Sequence, residues 1–284
     1  MDLAARFNLA AQARGLRLLA LKGISVAEEL YGGMEHRPMA DVDLLVVDTS
    51  RFEAAGGVAR AMGLAETAAS DHALVFTEPA SGVVLELHLS LTSCPGLFSV
   101  DTESLWARRK PLPRSALCRL ADEDLIVHLA LHTAFQHGFA ANEYHYGDFV
   151  RALDRFGTTA ERIAIRARDF GATSALGAMA VAFSRRTAIE GSLPRQIESL
   201  RGLCPTALAS WIEAQAEFPP PANLAALAVV RYRLAPSAWG YIVRTLFPKK
   251  IPGRTLPRAS VLGRISNLAR VGLGEHIRPG SLPS

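Results

Sequence analysis

Asp41 and Asp43 stand one residue apart at the head of an apolar run, residues 44–47, and no other stretch of the chain carries so much chemical meaning. Successive side chains on a strand point to opposite faces, so the two carboxylates share one face while Val42 and Leu44 share the other. Like charges on one face repel. The apolar run behind them has the pattern of a strand buried on both sides, where a charge needs a partner. A divalent cation is the simplest one: magnesium takes one or two carboxylates and fills its shell with waters and substrate phosphates, which suits a site where metal meets nucleotide. A third acid follows in a second apolar run, residues 83–89, with Glu86 and His88 on one face. Laid antiparallel to the first, this strand would bring Glu86 beside Asp41 and Asp43, giving three carboxylates able to hold one or two magnesium ions. The same pattern also fits an edge strand whose solvent face is polar at Glu86 and His88.

A second group of candidates lies upstream. Lys22-Gly23-Ile24-Ser25 joins a short apolar segment, residues 16–21, to a helical pattern carrying Val26, Ala27, Leu30 and Tyr31. A helix starting just after Gly23 offers unpaired N–H groups and its positive dipole end to a phosphate, with Lys22 adding charge and Ser25 a hydroxyl. A plain strand-to-helix turn with a solvated lysine reads the same way. Arg37, just before the acidic strand, is a further cation able to neutralise developing charge.

These residues need a scaffold, and the chain supplies one in order. Residues 2–14 have helical spacing and residues 51–62 form another helical pattern ending at Gly63. Residues 72–78 and 83–89 flank the turn signal Pro79-Ala80-Ser81-Gly82, which predicts a hairpin. Beyond Cys94 the composition turns irregular and rich in Pro and Arg, so a boundary is expected near Arg114. Afterwards the chain is helical. Asp122-Glu123-Asp124 opens a helix with acids at its positive end, and His128 and His132 lie one turn apart on a stripe that His137 follows. The glutamate of an H-E-x-x-H zinc motif is missing there, so no zinc is expected from that pair. Alanine-rich segments over residues 158–246 predict several short helices. The expected fold is thus α+β, a small mixed β-sheet domain over residues 1–114 and an all-helical domain over 115–247. A basic tail, 248–284, with one short helix at 261–271, completes the chain.

Composition sets the bounds. The 284 residues are 49% hydrophobic and 20% charged, a globular balance with material for a sizeable core. The net charge of +4 gathers in the tail, where Glu275 alone opposes several Lys and Arg, so it is weak ground for a nucleic-acid partner. Three widely spaced cysteines, Cys94, Cys118 and Cys204, argue against a disulfide framework or thiolate zinc site. No apolar run reaches membrane-spanning length, and a cytoplasmic protein is expected.

Leu21-Lys22-Gly23, Tyr31, Arg37-Pro38-Met39-Ala40-Asp41-Val42-Asp43-Leu44-Leu45-Val46, His72 and Leu85-Glu86-Leu87-His88 together resemble the nucleotidyltransferases of the DNA polymerase β superfamily. More narrowly, they resemble its bacterial branch of nucleotidyltransferase family proteins. The resemblance implies magnesium-dependent transfer of a nucleoside monophosphate from an NTP such as ATP to a hydroxyl of a small-molecule or peptide acceptor. It implies metal and catalytic roles for Asp41, Asp43 and Glu86, and phosphate contact at Lys22, Gly23, Ser25 and Arg37. It also implies a substrate cleft lined by His88, His132, His137 and Asp148, although the histidines read equally well as members of a helical core. The family's glycine turn appears here as Gly23-Ile24-Ser25, farther from the acid pair than usual, and its third acid is Glu in place of the commoner Asp. Two other readings accompany this one: a catalytically silent nucleotide- or partner-binding protein of the same fold, and an RNA-modifying nucleotidyltransferase toxin.

Overall fold

The computed structural model describes residues 2–140, 142–185, 193–215 and 224–248. The tail beyond Pro248 and the helix expected at 261–271 lie outside the described residues. Two compact units emerge. The first takes the chain up to Pro95 together with Val100–Leu125; the second takes Gly96–Ser99 with Ile126–Pro248.

The first unit runs α1 (Asp2–Gln12), β1 (Leu18–Ala20), α2 (Lys22–Tyr31), β2 (Asp41–Val46), α3 (Phe52–Ala61), β3 (Ala65–Ala69), β4 (Ala73–Thr77), β5 (Val84–His88), α4 (Thr102–Arg108), β6 (Lys110–Pro111) and β7 (Cys118–Arg119). Among the described residues the strands make one mixed sheet in the order β3-β4-β5-β2-β1-β7-β6. The hairpin of β4 and β5 is antiparallel as its turn signal predicts. The pairing of β2 with β5 departs from expectation: these strands run parallel. Strands far apart in sequence carry no turn to fix their relative direction, and the alternation of side chains is the same either way. The edge strand β3 was also absent from the sequence reading. Its Ala-Glu-Thr-Ala-Ala run is mostly exposed, so it shows no inward-outward alternation, and Glu66 is held there by Arg60 at 2.6 Å.

One face of the sheet makes the core. Val42, Leu44 and Val46 of β2 and Leu85 and Leu87 of β5 are buried with Phe7 of α1, Phe52 of α3 and Phe76 of β4. Helix α2 stops at Gly32, whose left-handed φ of 79° lets its N–H close back on the carbonyls of Ala27 and Glu28, a turn that favours glycine.

Helix α5 (Asp122–Leu131) starts in the first unit and continues in the second, which further holds α6 (Glu143–Arg155), α7 (Ala160–Phe170), α8 (Thr173–Ser184), α9 (Leu193–Arg201), α10 (Thr206–Ala214), α11 (Leu224–Leu234) and α12 (Ala238–Leu246). This is the series of short helices the alanine-rich pattern predicts. Helix α8 is buried over nearly its whole length, from Ala175 to Phe183, as expected of a helix apolar on all sides. It packs against α7, α9, α10 and α11. Gly177 lets the chain after α9 approach closely, since a Cβ there would stand 2.4 Å from the Cys204 nitrogen. Among the described residues no helix is long and apolar enough to cross a membrane.

Candidate active site

The alternation that sends the leucines of β2 and β5 into the core sends the charged side chains to the other face together. In the parallel register Val42 faces Leu85 and Leu44 faces Leu87, while Asp43 faces Glu86 and Leu45 faces His88. Asp43 is 2% exposed and His88 3% exposed, so neither can rely on water for solvation. They satisfy each other. His88 Nε2 lies 2.8 Å from Asp43 Oδ1 and 3.0 Å from Glu86 Oε2, and two acceptors at one nitrogen place its proton there. The Lys22 ammonium completes the group, 2.6 Å from Asp43 Oδ1 and 3.6 Å from Glu86 Oε2.

The turn before α2 explains how a lysine reaches the acids. Leu21 is extended, Lys22 adopts a left-handed φ of 49°, and the helix begins at Lys22 itself. The unusual conformation therefore falls on Lys22 and not on the glycine. Gly23 leaves room for Met39: a Cβ there would sit 2.6 Å from Met39 Sδ, and the methionine would have to shift. Ser25 is fully buried and its hydroxyl donates to the Lys22 carbonyl at 2.6 Å, which fixes the turn that presents the lysine. Arg37 is 8% exposed, its Nη1 donates to the Pro38 carbonyl at 2.7 Å, and the same nitrogen lies 3.7 Å from the Gly23 Cβ position. Lys22, Gly23, Ser25 and Arg37 thus gather at the start of α2, and Lys22 is paired to the acids.

Electrostatics separate the two aspartates. Burial pushes the Asp43 carboxyl up, but Lys22 and the His88 hydrogen bond outweigh it and hold Asp43 far below the usual carboxylate range. Asp41 moves the other way. Half buried and with no hydrogen bond to its carboxylate among the described residues, it is raised by burial and then by the charge of Asp43. Burial alone would lower Lys22, yet Asp43 and Glu86 raise it above its ordinary value. Burial and Lys22 likewise oppose protonation of His88, and its hydrogen bonds to Asp43 and Glu86 prevail, leaving the imidazole raised.

The donor set fits a cation. Asp43 and Glu86 turn carboxylate oxygens toward a common space, within 4.8 Å of each other, with the His88 N–H and the Lys22 ammonium already lying against both. Hard oxygens from Asp43 and Glu86, with Asp41 on the same face of β2, are the ligands magnesium prefers.

His132, His137 and Asp148 belong to the second unit. Asp148, on α6, is buried at 1% exposure. His132 and His137 gather around a third histidine, His145. Sequence reasoning passed over His145 and named His72 only as part of a resemblance, with no site role. The His72 ring stands 5.9 Å from that of His88 and its Nδ1 is 2.8 Å from Asp71 Oδ1, with burial lowering its affinity for a proton. Its place opposite the end of β5 was readable only once the hairpin register was known.

A family model described as "Uncharacterised nucleotidyltransferase" matches residues 3–186. Two solved structures of the antibiotic-resistance factor ANT(2'')-Ia share a partial likeness with the chain. The solution structure matches at 14% identity and a TM-score of 0.42, covering 59% of this chain and 91% of that one. A crystal structure of ANT(2'')-Ia with adenylyl-2''-tobramycin matches at 14% identity and a TM-score of 0.42, covering 66% and 98%. No curated protein matches significantly.

Proposed function

Since the chain belongs to the family of uncharacterised nucleotidyltransferases, matched over residues 3–186, we propose that it moves a nucleoside monophosphate from an NTP, ATP included, to a hydroxyl of a small-molecule or peptide acceptor. The register of β2 against β5 carries this reading, because it sets Asp43 beside Glu86 on a charged face with Lys22 2.6 Å from Asp43. Asp43 and Glu86, joined by Asp41, would hold magnesium, which when bound neutralises triphosphate charge and polarises the phosphorus under attack.

The chain's own groups do the rest. Lys22 places a positive charge beside the acids where charge develops, and the first N–H groups of α2, next to Arg37, favour a phosphate at the same end. Glu86 is 26% exposed at its side chain, against 3% for Asp43, so it is the acid that an incoming hydroxyl reaches. It accepts the acceptor's proton as the oxygen attacks the α-phosphorus; the new O–P bond forms, the bond to the β-phosphate oxygen breaks, and pyrophosphate leaves. Asp43, fixed between Lys22 and His88, stays ionised throughout.

Pyrophosphate release from each of the four NTPs with magnesium, measured across a panel of hydroxyl acceptors, tests the proposal. Turnover is expected with at least one pair, Asp43→Asn is expected to lower it by a factor of about a thousand or more, and Glu86→Gln should reduce turnover far more than nucleotide affinity. Release that is absent for every pair, or undiminished in Asp43→Asn, overturns it.

A further inference from the structure

Three imidazoles converge in the second unit, among residues that take no part in the nucleotidyl-transfer steps. After α5 the chain widens into a π-helical turn, His132–Gln136, closed by a bond from the His137 N–H to the His132 carbonyl at 3.2 Å. In an α-helix residues five apart diverge, but the wider turn brings His137 back over His132, and such turns concentrate at functional sites. The Nε2 atoms of His132 and His137 are 3.3 Å apart. His145, in the first turn of α6, closes the group: its ring stacks on His132 at 5.1 Å and lies 4.9 Å from His137. One nitrogen from each of the three falls within 4.8 Å of the others.

We propose that His132, His137 and His145 form a three-histidine site for a zinc-class transition-metal ion, with the fourth position open to solvent. The spacing suits it. Tetrahedral zinc with bonds of 2.0–2.1 Å separates its ligand nitrogens by about 3.3–3.4 Å, and the His132–His137 separation of 3.3 Å is already that edge. The tautomer of His145 is set as well. Asn142 Oδ1 accepts from the His145 backbone N–H at 3.3 Å, which identifies it as the oxygen, and His145 Nδ1 lies 2.7 Å from the same atom and must donate to it. With Nδ1 donating, Nε2 is the nitrogen of His145 that carries the lone pair, and outer hydrogen bonds commonly orient ligating histidines in this way. Neutral nitrogen donors with no thiolate or carboxylate among them favour zinc, copper or nickel over magnesium, so this site and the acidic one select different ions. His132 is buried while His137 and His145 are partly exposed, which gives the ion an entry path and leaves one side for water. The pairing also differs from the one the sequence offers: the His128 and His132 rings are 6.2 Å apart, and His132 finds its partner five residues on instead of four residues back.

The full-length chain, free of any affinity tag and stripped with a chelator, is titrated with zinc by calorimetry and with cobalt by visible absorption. We expect one equivalent to bind with micromolar affinity or tighter, the cobalt form to show the intense bands of tetrahedral coordination, and zinc to raise the melting temperature. Asp41→Asn and Asp43→Asn should leave this binding unchanged, so its outcome does not depend on the nucleotidyl-transfer reading. Because His132 is buried and its replacement can disturb folding, the decisive variants are His137→Gln and His145→Gln, each expected to weaken binding at least tenfold. Asn142→Ala is expected to weaken it about ten- to a hundredfold with every ligand retained. Absence of stoichiometric zinc and cobalt binding, or binding that survives the His137→Gln, His145→Gln double substitution in a folded protein, overturns the proposal.

Discussion

Asp41 and Asp43 are two residues apart on the same face, yet their surroundings give them opposite effects on the metal-free protein. Asp43 anchors Lys22 and His88, so Asp43→Asn leaves both buried groups with the more distant and more exposed Glu86 as their remaining acid. Removing one member of a buried ion pair costs on the order of 3 kcal/mol, and urea unfolding should show a loss of that size. Asp41 contributes repulsion, so Asp41→Asn should gain about 0.5–1 kcal/mol. The pH dependence separates the two. The folded state raises the Asp41 pKa, so its penalty is absent below the ordinary value of 3.8 and grows as the pH rises through the raised one. The melting advantage of Asp41→Asn should therefore open as pH increases. The folded state depresses Asp43, so its stabilisation is present above 3.8 and fades as the pH falls toward the depressed value. The deficit of Asp43→Asn should close on acidification, and melting curves recorded against pH check both signs.

At the level of elements, the start of α2 shows how local preference and packing compete. Alanine is favoured over glycine in a helix by up to about 1 kcal/mol, but at position 23 its Cβ would fall 2.6 Å from Met39 Sδ and 2.8 Å from Met39 Cγ. Met39 is a flexible, partly exposed side chain that must move aside, at a cost below the roughly 1–3 kcal/mol of overpacking a rigid core, so Gly23→Ala should be less favourable in the wild type than in a Met39→Ala background. Equal effects in the two backgrounds, measured by a double-mutant cycle, would remove Met39 from the explanation. The same turn shows what sequence could and could not tell. Lysine, glycine and serine in that order announced a strand-to-helix turn, and the period-two alternation put Asp41 with Asp43 on one face of β2 and Glu86 with His88 on one face of β5. It did not say that Lys22 would take the left-handed conformation, that Ser25 would turn inward to its carbonyl, or that β2 and β5 would run parallel. Those depend on contacts between segments far apart in the chain. His145 was missed for a related reason: its partners are brought to it by a π turn, and helical spacing counted at 3.6 residues does not generate one.

On the scale of the whole molecule, the first unit is not one continuous stretch. Gly96–Ser99 belongs to the second unit, and the chain then returns to the first with Val100–Leu125 to add α4, β6 and β7. Every acid, lysine and histidine of the charged cluster lies between Lys22 and His88 and so is made before that return. The sheet is not finished by then. β1 pairs with β2 on one side, and its other side is covered by β7, where Leu19 meets Cys118 and Ala20 meets Arg119. Arg119, 2% exposed, also ties this late strand to α2 and α5 through Glu29 at 2.5 Å and Asp122 at 2.9 Å. During synthesis, then, the residues of the site leave the ribosome while the edge of β1 still offers unpaired backbone groups, the kind of template on which chains associate. A chain cut after Pro95 should carry the whole charged cluster and yet self-associate in light scattering, whereas one extended to Leu125 should stay monomeric; a monomeric shorter chain would show that β1 needs no cover. For a growing polypeptide this makes about thirty residues of further translation, at roughly 5–20 residues per second, the interval in which a nascent-chain chaperone has an open strand to shield.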